Sequence, residues 1–160
     1  QEKYKKRKKT ILINPKKQSK ITNVFLKEIE KYYEIIPLIG LNSDEINKYY
    51  RENTIYLELG HSPGKDRMAR EASSLGCIVF YLKAGAAQYE KDLNLDDYYL
   101  FDPIKIVNIP EEYIKRIKSV FKRPIEHWEN QEVFRISINS EKAKFFDETS
   151  KLIEIISKRK

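Results

Sequence analysis

The stretch HSPGKDRMAREASSLGC, His61 to Cys77, places Lys65, Asp66, Arg67 and Arg70 within six positions, with Glu71 next. Lysine and arginine suit a phosphate, arginine as a two-pronged fork. Glu71 lies one helical turn beyond Arg67, where its carboxylate could accept two hydroxyl hydrogen bonds, as from a ribose. Gly60 and Gly64 let backbone approach a ligand closely. His61 precedes a Pro/Gly turn and could serve as a base or polar contact; Asp66 is the second candidate for proton transfer. The same residues also admit a plainer reading. An exposed turn could carry an Arg67–Glu71 pair that adds only about 0.2–0.5 kcal/mol to its helix.

The elements that must position these residues alternate along the chain. TILIN (10–14) reads as a buried strand ending at Pro15, and a helix is expected over Lys20 to Tyr33. In that helix Ile21, Val24, Phe25, Ile29 and Tyr32 recur at helical spacing, with Ser19 or Thr22 as cap. EIIPLIG (34–40) is a second strand, and Pro37 indicates an edge or a bend. A short helix capped by Ser43 or Asp44 follows, then a third strand, TIYLELG (54–60). The quoted loop leads into a helix around Arg67 to Leu75 and a fourth strand, CIVFYL (77–82), apolar on both faces. DYYLFD and IKIVNI read as one or two more strands. Pro110 opens a helix with acids behind it, and the remainder is helical, with a break expected near Asn139.

This alternation predicts an α/β, Rossmann-like three-layer domain with a mostly parallel sheet of five or six strands and C-terminal helices. One domain is expected over 10–160, its helical tail beginning near 110, with residues 1–9 a basic linker or disordered end. Ligands of such sheets bind beyond the carboxyl ends of the strands. Three loops fall there: NPKKQSK with Lys16 and Lys17, GHSPGKDR, and KAGAA with Gly85. Lysines, glycines and helix starts together are the layout of an anion site. Taken alone, the lysines of NPKKQSK read more simply as a solvated turn. Glu58 reads as a rim carboxylate paired with a nearby lysine, and His127, beside Trp128, as structural.

Composition narrows the classes. The formal charge of +7 is concentrated in KYKKRKK (3–9) and the terminal KRK. These ends are either solvated or in contact with an anionic surface. The body is near neutral, and no nucleic-acid motif is present, so no specific nucleic-acid partner is expected. One cysteine excludes an intrachain disulfide and a multi-cysteine metal site. The sequence begins with Gln1, which reads as part of a longer protein. The localisation expected is cytoplasmic, and the basic run leaves association with the inner membrane face open.

The stretch IYLELGHSPGKDRMAREASSLGCIVFYLKAGAA resembles the donor-binding half of GT-B-fold glycosyltransferases, of the bacterial surface-polysaccharide type. EASSLGCIVF matches the family's helix-to-strand segment. The resemblance places Glu71 on the glutamate that binds the nucleotide ribose and Gly64 on the first glycine of the motif loop. INPKK is similar to the first-strand loop whose basic residues approach the donor diphosphate, YLKAGAA to the following turn, and the FD before Pro103 to the last donor-side segment. The likeness covers Thr10 to Pro103. Two positions depart from the pattern. The family's first motif glutamate falls at Pro63, with Glu58 or Asp66 as substitutes, and Asn14 stands where an arginine is common.

The resemblance implies binding of a nucleotide-diphosphate sugar for transfer to a glycan. Lys16, Lys17, Lys65 and Arg67 would stabilise the departing diphosphate, with no metal or cofactor required. It also implies a separate N-terminal acceptor domain, without which turnover by this chain would be slight. The alternative is a non-catalytic domain of the same fold that binds a nucleotide or a partner.

Overall fold

Among the described residues five apolar runs become strands: β1 (Lys8–Ile13), β2 (Ile35–Pro37), β3 (Asn53–Glu58), β4 (Ile78–Leu82) and β5 (Leu100–Phe101). The computed structural model describes Tyr4 and residues 6–61, 66–89 and 93–157, the side chains of 142–144 and 152–157 excepted. All five strands pair in parallel, in the order β2-β1-β3-β4-β5. Every residue of β3 and β4 is buried, because crossover helices cover both faces of a parallel sheet. β2 is an edge strand, and the Pro37 that ends it removes a donor where the ladder stops.

The helices are α1 (Lys20–Glu30), α2 (Ser43–Glu52), α3 (Arg67–Ser74), α4 (Lys105–Asn108), α5 (Pro110–Lys122), α6 (Pro124–Asn130) and α7 (Glu132–Ser157). α1, α4 and α5 pack together on one face, and α2, α3 and α7 on the other. The fold is therefore a Rossmann-like three-layer α/β architecture. Among the described residues no helix is long and apolar enough to cross a membrane.

Local chemistry sets the helix boundaries. Ser19 and Thr22 form a reciprocal capping box on α1. Asn42, rather than the expected Ser43 or Asp44, caps α2. Its Oδ1 accepts from the backbone N–H groups of Asp44 and Glu45, each at 3.0 Å, while Glu45 reaches back to the Asn42 N–H at 2.8 Å.

Three expectations are corrected. IKIVNI is not a strand but the helix α4, because the Asp102 carboxylate accepts from the Ile104 and Lys105 N–H groups at 2.8 and 3.0 Å and starts a helical turn. The helix α7 runs through Asn139 unbroken, and the breaks fall earlier, at Arg123 and Gln131. In α1 the buried stripe is Thr22, Phe25, Leu26 and Ile29, while Ile21 and Val24, and Tyr32 just past the helix end, are exposed.

The core is aromatic where α1 and α5 meet the sheet. Phe80 stacks on Phe101 at 4.9 Å between centroids, and Phe25 and Tyr113 meet Phe101 edge-on at 5.4 and 4.9 Å. Three polar side chains also tie elements together. Arg7, just before β1, donates to the carbonyls of Tyr50, Asn53 and Leu75 at 2.6–2.7 Å. Gln131 pairs with both backbone groups of Val79 in β4. His127, as expected, is structural: it is buried between Tyr99 and Ser119 at 2.9 and 3.0 Å. Cys77 is buried beneath Arg7, and burial pushes its thiol up to about 12, so it packs as a small apolar group.

Candidate functional site

In this sheet the chain moves one way from β1 to β2 and the other way from β3 to β5. The reversal lies between the neighbouring strands β1 and β3, and their carboxyl ends form the crevice where doubly wound sheets take ligands. The loop after β1 carries Lys16 and Lys17 in a single 3-10 turn, capped by the Asn14 side chain. After β3 the chain is described through His61 and again from Asp66, the residue that caps α3. Gly64 and Lys65, two of the expected contacts, lie outside the described residues.

The two loops touch at Gly60. A Cβ built there would come within 2.5 Å of Lys17 Cβ and 2.9 Å of the Lys17 carbonyl oxygen, so only glycine admits this approach. Behind the contact lies a buried charge cluster. Lys17 Nζ sits 3.6 Å from Glu58 Oε1 and ion-pairs more closely with Asp66. Asp66 also caps α3, accepting from the Met68 and Ala69 N–H groups. The Tyr56 hydroxyl donates to Glu58 Oε2 at 3.2 Å, and the Gly60 N–H to Oε1 at 3.3 Å. Lys17 and Asp66 are thus engaged with each other, and the first turn of α3 is satisfied by its own chain. Lys16 has no carboxylate partner among the described residues and is the cation of this loop left open to a ligand.

Glu58 was expected at the rim, paired with a lysine. The pairing is present, but the carboxylate is 1% exposed. Burial is the strongest influence on it and raises its pKa, with Lys17, the Gly60 N–H and Tyr56 pulling the other way. A carboxyl with a raised folded pKa favours the fold below its unfolded value. That contribution is lost as pH rises through the folded pKa. Glu58→Gln, which imitates the neutral acid, is therefore expected to be more stable than the parent at pH 8. Near pH 4 the difference should vanish. Urea unfolding at the two pH values checks this, and a gain of the same size at both would contradict it.

The helix α3 displays the remaining expected residues. Arg67 stands exposed and Glu71 half-buried one turn apart, with Arg67 Nε 3.4 Å from Glu71 Oε1. They line one side of a groove of about 580 Å³ whose other walls include Asn47 of α2 and Arg70, Leu75 and Ile138. Arg70 ion-pairs with Glu141 and so fastens α7 against α3. Asn47, Ile138 and this clamp carried no signal in the sequence, because the wall forms only when three distant helices meet. His61 is exposed just beyond Gly60. Gly85 holds φ 62° and ψ −134° at the turn after β4, a conformation that only glycine adopts without strain.

The structure thus brings Lys16, Lys17, Asp66, Arg67 and Glu71 to the β1/β3 crevice and the helix that leaves it. Among the described residues no cluster of three or more His, Cys, Asp or Glu could hold a metal ion. Comparison with protein-family models, curated proteins and solved structures returns no match.

Proposed function

We propose that this chain binds a nucleoside-diphosphate sugar, as the donor-binding half of a GT-B-type glycosyltransferase acting in bacterial surface-polysaccharide synthesis. The observation that carries this reading is the cation–carboxylate pair Arg67 and Glu71 on the wall of a groove of about 580 Å³. The helix that bears them starts at the topological switch point. Glu71 would accept the two ribose hydroxyls; Lys16 and Arg67, joined by Lys65, would face the phosphates. Positioning and charge neutralisation would supply the catalysis, with a separate domain bringing the acceptor.

A second reading, a non-catalytic nucleotide- or partner-binding domain, draws support from Asp66. Capping α3 and pairing with Lys17 occupy the carboxylate that would otherwise serve as a base.

Calorimetric titration with UDP, GDP and CDP and the matching monophosphates tests binding. One diphosphate is expected to bind best. Glu71→Ala should weaken it at least tenfold, since two hydrogen bonds to a carboxylate are each worth about 1.5–3 kcal/mol. Arg67→Ala should erase the advantage of diphosphate over monophosphate. Equal affinity for both, or no response to Glu71→Ala, would refute the proposal. Sugar transfer or hydrolysis assayed with the acceptor domain present separates the two readings.

A further inference from the structure

A second concave surface lies far from the β1/β3 crevice. The helix α5 runs antiparallel to the strands. Tyr113 near its start packs on Phe101, at the end of β5, with centroids 4.9 Å apart. Phe121 near its end packs on Tyr33, just ahead of β2, at 4.8 Å. The last turns of α5 are therefore at the amino-terminal edge of the sheet, opposite Lys16 and Lys17. There a cavity of about 420 Å³ is lined by Lys115, Lys118, Ser119, Lys122 and Arg123. That volume would hold roughly a dozen waters. Four of its five lining residues are cations and none is acidic.

Three features make this more than a solvated helix face. First, Lys115, Lys118 and Lys122 have no carboxylate within ion-pair distance among the described residues. The neighbouring Arg116, by contrast, is paired with Glu112 at 2.6 Å. Second, the lysines stand three and four positions apart on one helix, the spacing at which like charges repel, so an anion between them relieves a standing cost. Third, a chain of hydrogen bonds runs from the rim of the cavity into the core. Arg123, held by Glu126 at 3.1 Å, donates through Nη2 to Ser119 Oγ at 3.0 Å. Arginine only donates, so the serine hydrogen is left for His127 Nε2, 3.0 Å away. Burial lowers the His127 pKa and keeps that nitrogen an acceptor. Tyr99 closes the chain at His127 Nδ1, 2.9 Å away.

We infer that the Lys115–Lys118–Lys122–Arg123 cavity is a binding site for a ligand carrying phosphoryl groups, separate from the β1/β3 crevice. Compact, multiply charged oxyanions fit it. Lysines on flexible stems reach around them, and the Arg123 guanidinium offers its remaining N–H groups. Binding to the folded state alone raises apparent stability with ligand concentration.

The test is thermal unfolding and calorimetry with inorganic pyrophosphate at constant ionic strength. In parallel, co-sedimentation is run with phosphatidylcholine vesicles containing phosphatidic acid. Pyrophosphate should raise Tm in a saturable way, and Lys118→Gln/Lys122→Gln should weaken binding at least tenfold. Lys27→Gln/Lys105→Gln, which removes the same charge elsewhere on the surface, should leave it unchanged. Binding to the vesicles alone, with the same dependence on the two variants, also supports the site and identifies a lipid headgroup as the phosphoryl source. Equal loss in both double variants, or no response to either probe, overturns it.

Discussion

Arg7→Ala is expected to destabilise the fold by about 4 kcal/mol and to lower Tm by about 12 °C. The guanidinium gathers carbonyls from three segments. Nη1 donates to Tyr50, in the last turn of α2, and to Asn53, the first residue of β3, while Nη2 donates to Leu75, just after α3. The Tyr50 and Leu75 oxygens lie at helix ends, where carbonyls lack intrahelical partners, and besides Arg7 the Cys77 thiol, a weak donor, reaches the Tyr50 and Asn53 carbonyls at 3.2 and 3.5 Å. Each hydrogen bond to a charged donor contributes about 1.5–3 kcal/mol. Arg7 is partly exposed, so water entering the space would recover some of the loss. Arg7→Lys should recover less than half, because a single ammonium cannot span the fork that reaches both Tyr50 and Leu75. Chemical and thermal denaturation of the two variants measures both quantities. A loss below 1 kcal/mol for Arg7→Ala would show that water and the Cys77 thiol satisfy these carbonyls without it.

Arg7 also marks a limit of reading the sequence. It lies in KYKKRKK, a run whose composition indicates a solvated end, yet β1 begins at Lys8 and Arg7 is built into the body. A basic run does not reveal which of its members will find orphaned carbonyls, because their donors and acceptors come from positions more than 40 residues apart. The parallel sheet was legible for the opposite reason. Strands buried on both faces must be continuous apolar runs, and TILIN, TIYLE and CIVFYL are that. IKIVNI is equally apolar, and short runs of this kind do not separate strand from helix. The side chain of Asp102 decides the matter locally. In α1 two apolar stripes compete, and the one that includes Thr22 is buried, since its hydroxyl bonds back to Ser19 and costs nothing unsatisfied.

The crevice was legible as a set of loops and not as a set of partners. Lys16, Lys17 and the start of α3 do converge at the carboxyl ends of β1 and β3. What composition could not show is that Lys17 and Asp66 neutralise each other over the buried Glu58, leaving the exposed Arg67 and the half-buried Glu71 on α3 as the pair at the groove. Charge density in a sequence counts groups; pairing in three dimensions determines which of them remain available to a ligand.

Gln131→Leu is the second large effect, an expected loss of about 3 kcal/mol. The strand β5 is only two residues long and pairs with β4 at Tyr81 and Leu82, so it stops short of Val79. Gln131, 1% exposed, takes the place of the missing strand. Its amide nitrogen donates to the Val79 carbonyl at 2.9 Å and its oxygen accepts the Val79 N–H at 3.0 Å. Leucine fills a similar volume and leaves both backbone groups buried without a partner, at about 1–3 kcal/mol each before relaxation. The consequence reaches the groove, because Gln131 immediately precedes α7, and α7 supplies Ile138 to the groove wall and the Glu141 that pairs with Arg70. Gln131→Leu should therefore speed hydrogen exchange at the Val79 amide and weaken any ligand held against α3, though it touches neither. Gln131→Glu should rescue little. At neutral pH its second oxygen would face the Val79 carbonyl and repel it, where the native amide donates. If hydrogen exchange at Val79 is unchanged in both variants, the amide pairing does not support the open side of β4.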